Sequence, residues 1–211
     1  MSRFLWTRRC LLRRMERSGG HVINGTEPRP LFGGALSAVV PPGACDVSEL
    51  REIPDNQEVF AHSNTDQSLI VELLEYQGHV EDGAAARYHF EDVAQSNEVA
   101  GPRAAQVNAV TPLPREQLAM RECSSAWMLS GTQLVSKFNE QAKNTLDVYL
   151  GLFRLPQFST DILVTFNDPV SISALSSSAI VSTAETTPPW TVQDFQQLLQ
   201  SLKILDAGVF G

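Results

Sequence analysis

The sequence Pro-Asp-Asn-Gln-Glu-Val-Phe at Pro54–Phe60 and the sequence Leu-Ile-Val-Glu-Leu-Leu-Glu at Leu69–Glu75 lie in the most acidic part of the chain. The segment 46–75 that contains them holds eight of the chain's 24 acids and a single base, Arg51. Carboxylates at this density repel one another and are costly to bury, so most should face water or a cationic partner. The apolar runs beside them indicate a folded segment, which is either a docking surface for a basic protein or an ordinary solvated face.

Periodicity favours a helix over residues 65–77, with Thr65 or Asp66 as its N-cap. Its apolar residues recur at i, i+1, i+4 and i+5, which would form one stripe facing a core. Glu72 and Glu75 would then lie together on the opposite side of the helix. A strand is the alternative, because the apolar run is short and contains Ile and Val.

Hydrophobic periodicity and turn residues also predict the other strands and helices. Strands are expected at 35–40, 58–61, 104–110, 126–138, 146–155 and 161–167, and a helix at 84–94. A bulge or bend is expected at Ser130-Gly131, a short helical turn at 47–51, and a surface loop at 170–187. Five residues join the last two strands, which is enough for an antiparallel hairpin and too few for a parallel crossover.

The C-terminal helix has the clearest local signals. Thr191 and Asp194 have the spacing of a capping box, and Trp190 and Phe195 that of a hydrophobic staple. With this helix the elements total about six strands and three helices. The chain is therefore predicted to have a mixed α/β fold of the α+β type, with a mainly antiparallel sheet.

Length and composition restrict the class of protein. At 211 residues and 43% hydrophobic, the chain suits one domain with a substantial core. Its net charge of −8 disfavours nucleic acid as a partner, and no apolar run is long enough to cross a bilayer. Three cysteines, far apart and without metal-ligand spacing, argue against a disulfide scaffold. Nothing in the sequence demands an oligomer, so a monomer is expected.

The first 30 residues differ from the rest in charge. They hold seven arginines and two glutamates, which gives a net charge of +5. Because the whole chain has a net charge of −8, residues 31–211 have a net charge of −8 − 5 = −13. Residues 1–30 are interpreted as a basic, flexible N-terminal extension and 31–211 as the domain. The arginines and apolar residues of 1–15 resemble a mitochondrial presequence or a surface amphipathic helix. The alternative is an unstructured extension, with Met15 as the working initiator.

Motifs of catalysis are missing from the sequence: no nucleophile elbow, phosphate-binding loop or zinc-protease motif occurs. Gly33-Gly34 is interpreted as a pair of glycines that allows an unusual backbone conformation, and not as a phosphate loop. His62 near Asp66 or Glu58 is the one candidate acid–base pair, and Asp55 with Glu58 the one candidate for paired carboxylates or weak metal ligation. The sequence therefore predicts a binding protein that is not an enzyme and has no cofactor or metal.

Eleven motifs make the chain similar to the Ran guanine nucleotide release factors, also called Mog proteins. They are Leu-Phe-Gly-Gly-Ala at 31–35, Asp-Val-Ser-x-Leu-Arg at 46–51, and the segments 54–60, 65–75 and 88–92; then Trp-x-Leu-Ser-Gly at 127–131 and the segments 154–157, 160–161, 165–167, 188–190 and 209–211. The basic leader departs from the family pattern. So does Ser125, since some relatives carry an acid at that place.

The resemblance implies a six-stranded antiparallel sheet flanked by helices on both faces. It also implies binding to the small GTPase Ran, promotion of guanine nucleotide release, support of nuclear transport, and a location in nucleus and cytoplasm. The Ran-facing acids carried over by motif are Asp46, Asp55, Glu58, Asp66, Glu72 and Glu75. The alternative that it implies is an adaptor that delivers a voltage-gated sodium channel to the cell surface, with peripheral association at the plasma membrane.

Overall fold

The computed structural model describes residues 27–97, 104–136, 143–171 and 187–211. The strands are β1 (Pro28–Leu31), β2 (Leu36–Val39), β3 (Ala44–Asp46), β4 (Gln57–His62), β5 (Ser68–Glu75), β6 (Ala105–Pro112), β7 (Ser125–Ser136), β8 (Lys143–Leu155), β9 (Thr160–Ser171) and β10 (Lys203–Ile204). The α-helices are α1 (Asp82–Ser96) and α2 (Val192–Ser201). Short 3-10 turns cover Phe32–Gly34, Val47–Glu49, Arg115–Gln117, Pro156–Phe158 and Ala207–Phe210.

The strands form two antiparallel sheets. The larger has seven strands in the order β3-β4-β5-β9-β8-β7-β6, and the smaller has three in the order β1-β2-β10. The α+β class and the antiparallel pairing are confirmed, while the prediction of a single six-stranded sheet is wrong. Strands of two to four residues, such as β3 and β10, are too short to leave a periodic signal, so the sequence could not separate the two sheets.

Strand β5 replaces the predicted helix over 65–77. It pairs with β4 on one side and with β9 on the other, from Ser68 opposite Asn167 to Glu75 opposite Thr160. Within β5, the successive residues Leu69 and Ile70 belong to separate core clusters, because successive strand residues point to opposite faces of the sheet. A strand buried on both faces has a continuous apolar run, and periodicity cannot distinguish such a run from part of a helix.

Two hydrophobic clusters hold the layers together. One contains Val164 of β9, Phe195 of α2 and Leu36 of β2, so α2 and the small sheet share that face of the large sheet. The other contains Leu163 of β9 and Phe90 of α1. The first face is thus covered by strands as well as by a helix, which differs from the predicted pair of purely helical layers.

Several local predictions are confirmed. The helix expected at 84–94 lies within α1, and the capping box at the start of α2 is formed. The β8–β9 hairpin pairs Arg154 with Asp161 and Leu155 with Thr160. An irregularity does lie opposite Ser130-Gly131, but the extra residue is Asn108 of β6.

A strand already begins within the first described residues. Strand β1 begins at Pro28, so the last residues assigned to the N-terminal extension pair with β2. Gly33 and Gly34 have φ angles of 65° and 98°, which confirms that they are needed for the conformation of the backbone. Most of the loop expected at 170–187, and the end of the strand expected at 126–138, lie outside the described residues. No helix among the described residues is long and apolar enough to cross a membrane.

Candidate functional site

The six candidate acids occupy several separate places and do not share one face. Asp46 and Glu58 form the first group, at the β3–β4 edge of the large sheet. Arg29 donates from Nη2 to Asp46 Oδ2 at 2.6 Å, and Asp46 Oδ1 accepts from the Ser48 N–H at 2.8 Å. The Phe32 N–H donates to Glu58 Oε1 at 2.6 Å. Both carboxylates therefore fasten β1 and its turn to the sheet.

Burial raises the pKa of the Glu58 carboxyl above its ordinary value of 4.5. The hydrogen bond from the Phe32 N–H opposes this rise, the nearby Asp46 carboxylate adds to it, and the Arg29 cation opposes it. The net direction shows that removal from water dominates. Glu58 is consequently a poor candidate for a freely exposed contact.

Glu72 and Glu75 lie on opposite faces of β5, because they are three residues apart in a strand. The Glu72 side chain is completely buried, and its Oε1 accepts from Gln57 Nε2 at 2.6 Å. Glu75 is exposed at the end of the strand. The prediction that the two form a pair on one side is therefore wrong, since it depended on a helix.

Asp66 and Asp55 lie at opposite ends of the β4–β5 hairpin. Asp66 is half-buried in the turn 63–67 that joins the two strands. Asp55 is exposed and precedes β4, at the end of the hairpin where β5 finishes with Glu75. Chain direction thus brings Asp55 close to Glu75 and keeps Asp66 away from both.

A groove of about 390 Å³ is lined by both Asp55 and Glu75. The residues that line it are Asp55, Asn56, Leu73, Leu74, Glu75, Ser159, Thr160, Val209 and Phe210. Two acidic residues thus line a groove that is also lined by aliphatic and aromatic residues. We call this the acidic groove.

Hydrogen bonds and a ring contact fix the shape of the acidic groove. Asn56 Nδ2 donates to the Leu73 carbonyl at 3.1 Å, and the Leu73 N–H donates to the Asn56 carbonyl at 2.9 Å. On the other side, the Phe210 ring stacks on Phe158, with centroids 5.0 Å apart and planes inclined by 19°. The C-terminal turn Ala207–Phe210 is therefore a wall of this groove.

Arg154 anchors the connection that follows Glu75. Its side chain is completely buried, and it donates to the Gln77 and Val80 carbonyls at 2.7 Å each. It also donates to Asp161 Oδ1 at 3.2 Å and to Asp82 Oδ1 at 2.8 Å. These bonds hold the segment 76–82 against the β8–β9 hairpin.

Two further contacts complete the surroundings of Arg154. Its guanidinium carbon lies 4.3 Å from the centroid of the Tyr76 ring, which directly follows Glu75. The buried Asp161 carboxylate accepts from the Gln77 N–H at 3.2 Å and lies 3.1 Å from His89 Nε2. His89 of α1 is thus part of a buried polar network.

His62, the histidine proposed for an acid–base pair, is also buried. Its Nδ1 accepts from the Asn64 and Thr65 N–H groups at 3.0 Å each, so Nε2 carries the hydrogen and donates to the Pro188 carbonyl at 3.0 Å. Both ring nitrogens are therefore occupied by backbone groups, an arrangement suited to holding a turn. Within the described ranges, no group of three or more His, Cys, Asp or Glu residues could hold a metal ion.

Sequence reasoning missed the apolar walls of the groove and the Arg154 network. An arginine inside the apolar strand 146–155, seven residues before an aspartate in the next strand, was an available signal. In a hairpin with a tight connection such residues face each other, and a buried charge needs a partner. No comparable signal links Phe210 to Asp55, because tertiary packing alone brings them together.

The architecture is that of an α+β domain, with two antiparallel sheets, two helices in its described part, and an acidic groove with apolar walls. A model of the Ran-interacting Mog1 protein family matches residues 29–169. The chain therefore belongs to the Mog1 family.

Named relatives agree with this assignment. The chain is 65% identical over 183 residues to the Ran guanine nucleotide release factor of Danio rerio, covering 87% of this chain and 99% of that one. It is 51% identical over 187 residues to the Ran guanine nucleotide release factor of Homo sapiens, covering 88% and 97%. Among solved structures, the Ran-binding protein Mog1p of Saccharomyces cerevisiae is similar at 23% identity, with a TM-score of 0.63 over 91% of this chain and 100% of that one. The last similarity concerns the fold alone.

Proposed function

We propose that this chain binds the small GTPase Ran through its acidic surface and promotes release of the bound guanine nucleotide. The observation that carries the proposal is the 65% identity, over almost the whole of both chains, with a relative named Ran guanine nucleotide release factor. A relative in Schizosaccharomyces pombe, 31% identical over 191 residues, is named a nuclear import protein. We therefore place this activity in support of nuclear import, in nucleus and cytoplasm.

Of the six acids, Asp55, Asp66 and Glu75 are the proposed direct contacts with the partner. Asp46, Glu58 and Glu72 are proposed to hold that surface in shape. The exposure of Asp55 and Glu75 at the acidic groove supports direct contact with basic residues of the partner. The burial of Glu72 supports a role in holding the β4–β5 hairpin. The bonds of Asp46 and Glu58 to β1 and its turn support a similar role at the sheet edge, and half-buried Asp66 would contact the partner at the far end of the hairpin.

Nucleotide release follows from differential binding. Carboxylates on this surface would attract a basic face of the GTPase and speed its association. If the complex forms more tightly with nucleotide-free Ran, linkage requires that nucleotide binds the complex more weakly by the same factor. This role needs no bond-making residue in the chain, in keeping with the prediction that it is not an enzyme.

The proposal is tested by release of a fluorescent guanine nucleotide from Ran. Wild-type protein should accelerate release, and Glu75→Lys should lower the association rate constant roughly tenfold at low salt and less at high salt. Glu116→Lys makes the same charge change at an exposed position away from the groove and is the matched control. Equal effects of the two variants would show that only total charge matters, and no acceleration by wild-type protein would refute the function.

The adaptor alternative has no comparable support. The names of the relatives described above refer to Ran or to nuclear import, and none refers to a channel. Cell-surface delivery of a sodium channel and association with the plasma membrane therefore stay untested expectations. The monomeric state is likewise untested.

A further inference from the structure

We infer that the C-terminal residues Val209 and Phe210 form a binding slot, together with Asp55 and Glu75, for one lysine or arginine side chain of the GTPase. This inference rests on the proposed function and deepens it, because it names the kind of group that enters the groove. The geometry of the acidic groove carries it. Two acidic residues and several apolar residues line the same space of about 390 Å³.

The shape and chemistry of the groove fit a long cationic side chain. Lysine and arginine have an aliphatic stem that packs on apolar surface and a charged head that stays among polar groups. Leu73, Val209 and Phe210 provide surface for the stem, and Asp55 and Glu75 provide opposite charge for the head. A purely apolar ligand would leave both carboxylates facing apolar surface, and an anion would be repelled by them.

The wall that Phe210 provides is held in place before any partner arrives. Phe210 stacks on Phe158 of the β8–β9 connection, and the Asp206 side chain accepts from the Gly208 N–H at 2.8 Å, which starts the C-terminal turn. The Leu205 and Asp206 N–H groups both donate to the Ala35 carbonyl, at 2.8 and 3.0 Å. A pre-ordered wall lowers the entropic cost of binding, so truncation of Phe210 should weaken the complex directly.

Binding kinetics of Phe210→Ala with Ran provide the test. The dissociation constant should rise roughly tenfold, mainly through faster dissociation, and the ratio to wild type should be the same at low and high ionic strength. Phe210→Leu should keep most of the affinity, because it preserves an apolar wall. Leu205→Ala removes a large exposed apolar side chain that does not line the groove, so it should bind like wild type.

The melting temperature of each variant separates weaker binding from loss of folding. If Phe210→Ala melts like wild type and binds equally well, the slot is refuted while the release function stands. If wild-type protein releases no nucleotide, the proposed function fails, whatever Phe210 does to binding. If Phe210→Ala lowers the melting temperature strongly, the crosslinking experiment decides instead, since it leaves Phe210 in place.

That experiment places p-benzoylphenylalanine at Val209 and identifies what it crosslinks to in the presence of Ran. A crosslink to a Ran peptide centred on a lysine or arginine is expected. The chain's own residues 1–26 carry six arginines and one glutamate and are a rival occupant by charge. A crosslink to those residues, to a second copy of the chain, or to a Ran segment without a basic residue would overturn the inference.

Discussion

Replacement of Arg154 by methionine should be among the most damaging single changes in this protein. Methionine keeps much of the apolar stem but removes the guanidinium, which donates to Asp161, Asp82 and two backbone carbonyls. The Asp161 carboxylate would then remain completely buried without the guanidinium, with the Gln77 N–H and His89 as its remaining partners. Removal of one partner from a buried ion pair typically costs about 3–5 kcal/mol, because it leaves an uncompensated charge.

The individual contacts show where that cost arises. The Asp82 side chain is 44% exposed, so its pair with Arg154 contributes little, while both side chains of the Arg154–Asp161 pair are fully buried. Most of the loss should therefore come from Asp161 and from the carbonyls of Gln77 and Val80. For a chain of this size, about 3–5 kcal/mol corresponds to a fall in melting temperature of roughly 6–20 °C.

Urea unfolding at neutral pH measures this change, with Arg87→Met, on the exposed face of α1, as the matched control. A loss below about 1 kcal/mol, or a loss equal to that of the control, would refute the reasoning. The double variant Arg154→Met/Asp161→Leu should be less destabilised than Arg154→Met alone, since no buried charge remains. Hydrogen exchange should also be faster over residues 76–82 in the single variant, because that segment loses its anchor next to Glu75.

Two further predictions concern pH and packing. Burial raises the pKa of the Glu58 carboxyl, so the folded state binds the proton of this carboxyl more tightly than the unfolded state does. Glu58 therefore favours folding at low pH and disfavours folding as the pH rises through the pKa of the folded state. The melting temperature of Glu58→Gln relative to wild type should therefore rise between about pH 4 and pH 7, and a difference independent of pH would contradict this. Gly131→Ala should cost about 1–3 kcal/mol in urea unfolding, since its Cβ would lie 2.7 Å from the Phe90 ring and 2.8 Å from the Gln106 carbonyl. Gly83→Ala, with Trp127 no nearer than 3.7 Å, should be neutral or stabilising, and similar losses in the two variants would refute the packing argument.

Local signals predicted those elements whose stabilising contacts lie close in the chain. The capping box of Thr191 and Asp194, the β8–β9 hairpin and helix α1 are examples, because each depends on residues a few positions apart. Strand β5 was predicted as a helix for the opposite reason. Its partners β4 and β9 decide its conformation, and β9 lies about ninety residues further along the chain.

The candidate site shows the same division. The acidic segment 46–75 was evident from the sequence, and so was the motif resemblance that the family comparison confirms. The distribution of the acids was not evident: β5 is covered on both faces, so Glu72 is buried within it, and Glu75 is exposed because it ends the strand. A charge pattern counts carboxylates but does not show which side of the backbone each one occupies.

The sequence by itself determined the α+β class, the acidic character of the domain, the C-terminal helix and the family. Only the tertiary structure decided that the chain forms two sheets, that Arg154 and Asp161 are buried together, and that Asp55, Glu75 and Phe210 line one groove. The physical reason is the range of the interactions. Caps, hairpins and net charge are properties of neighbouring residues, whereas a groove between the start of β4, the end of β5 and the C-terminal turn exists only after distant segments have packed together.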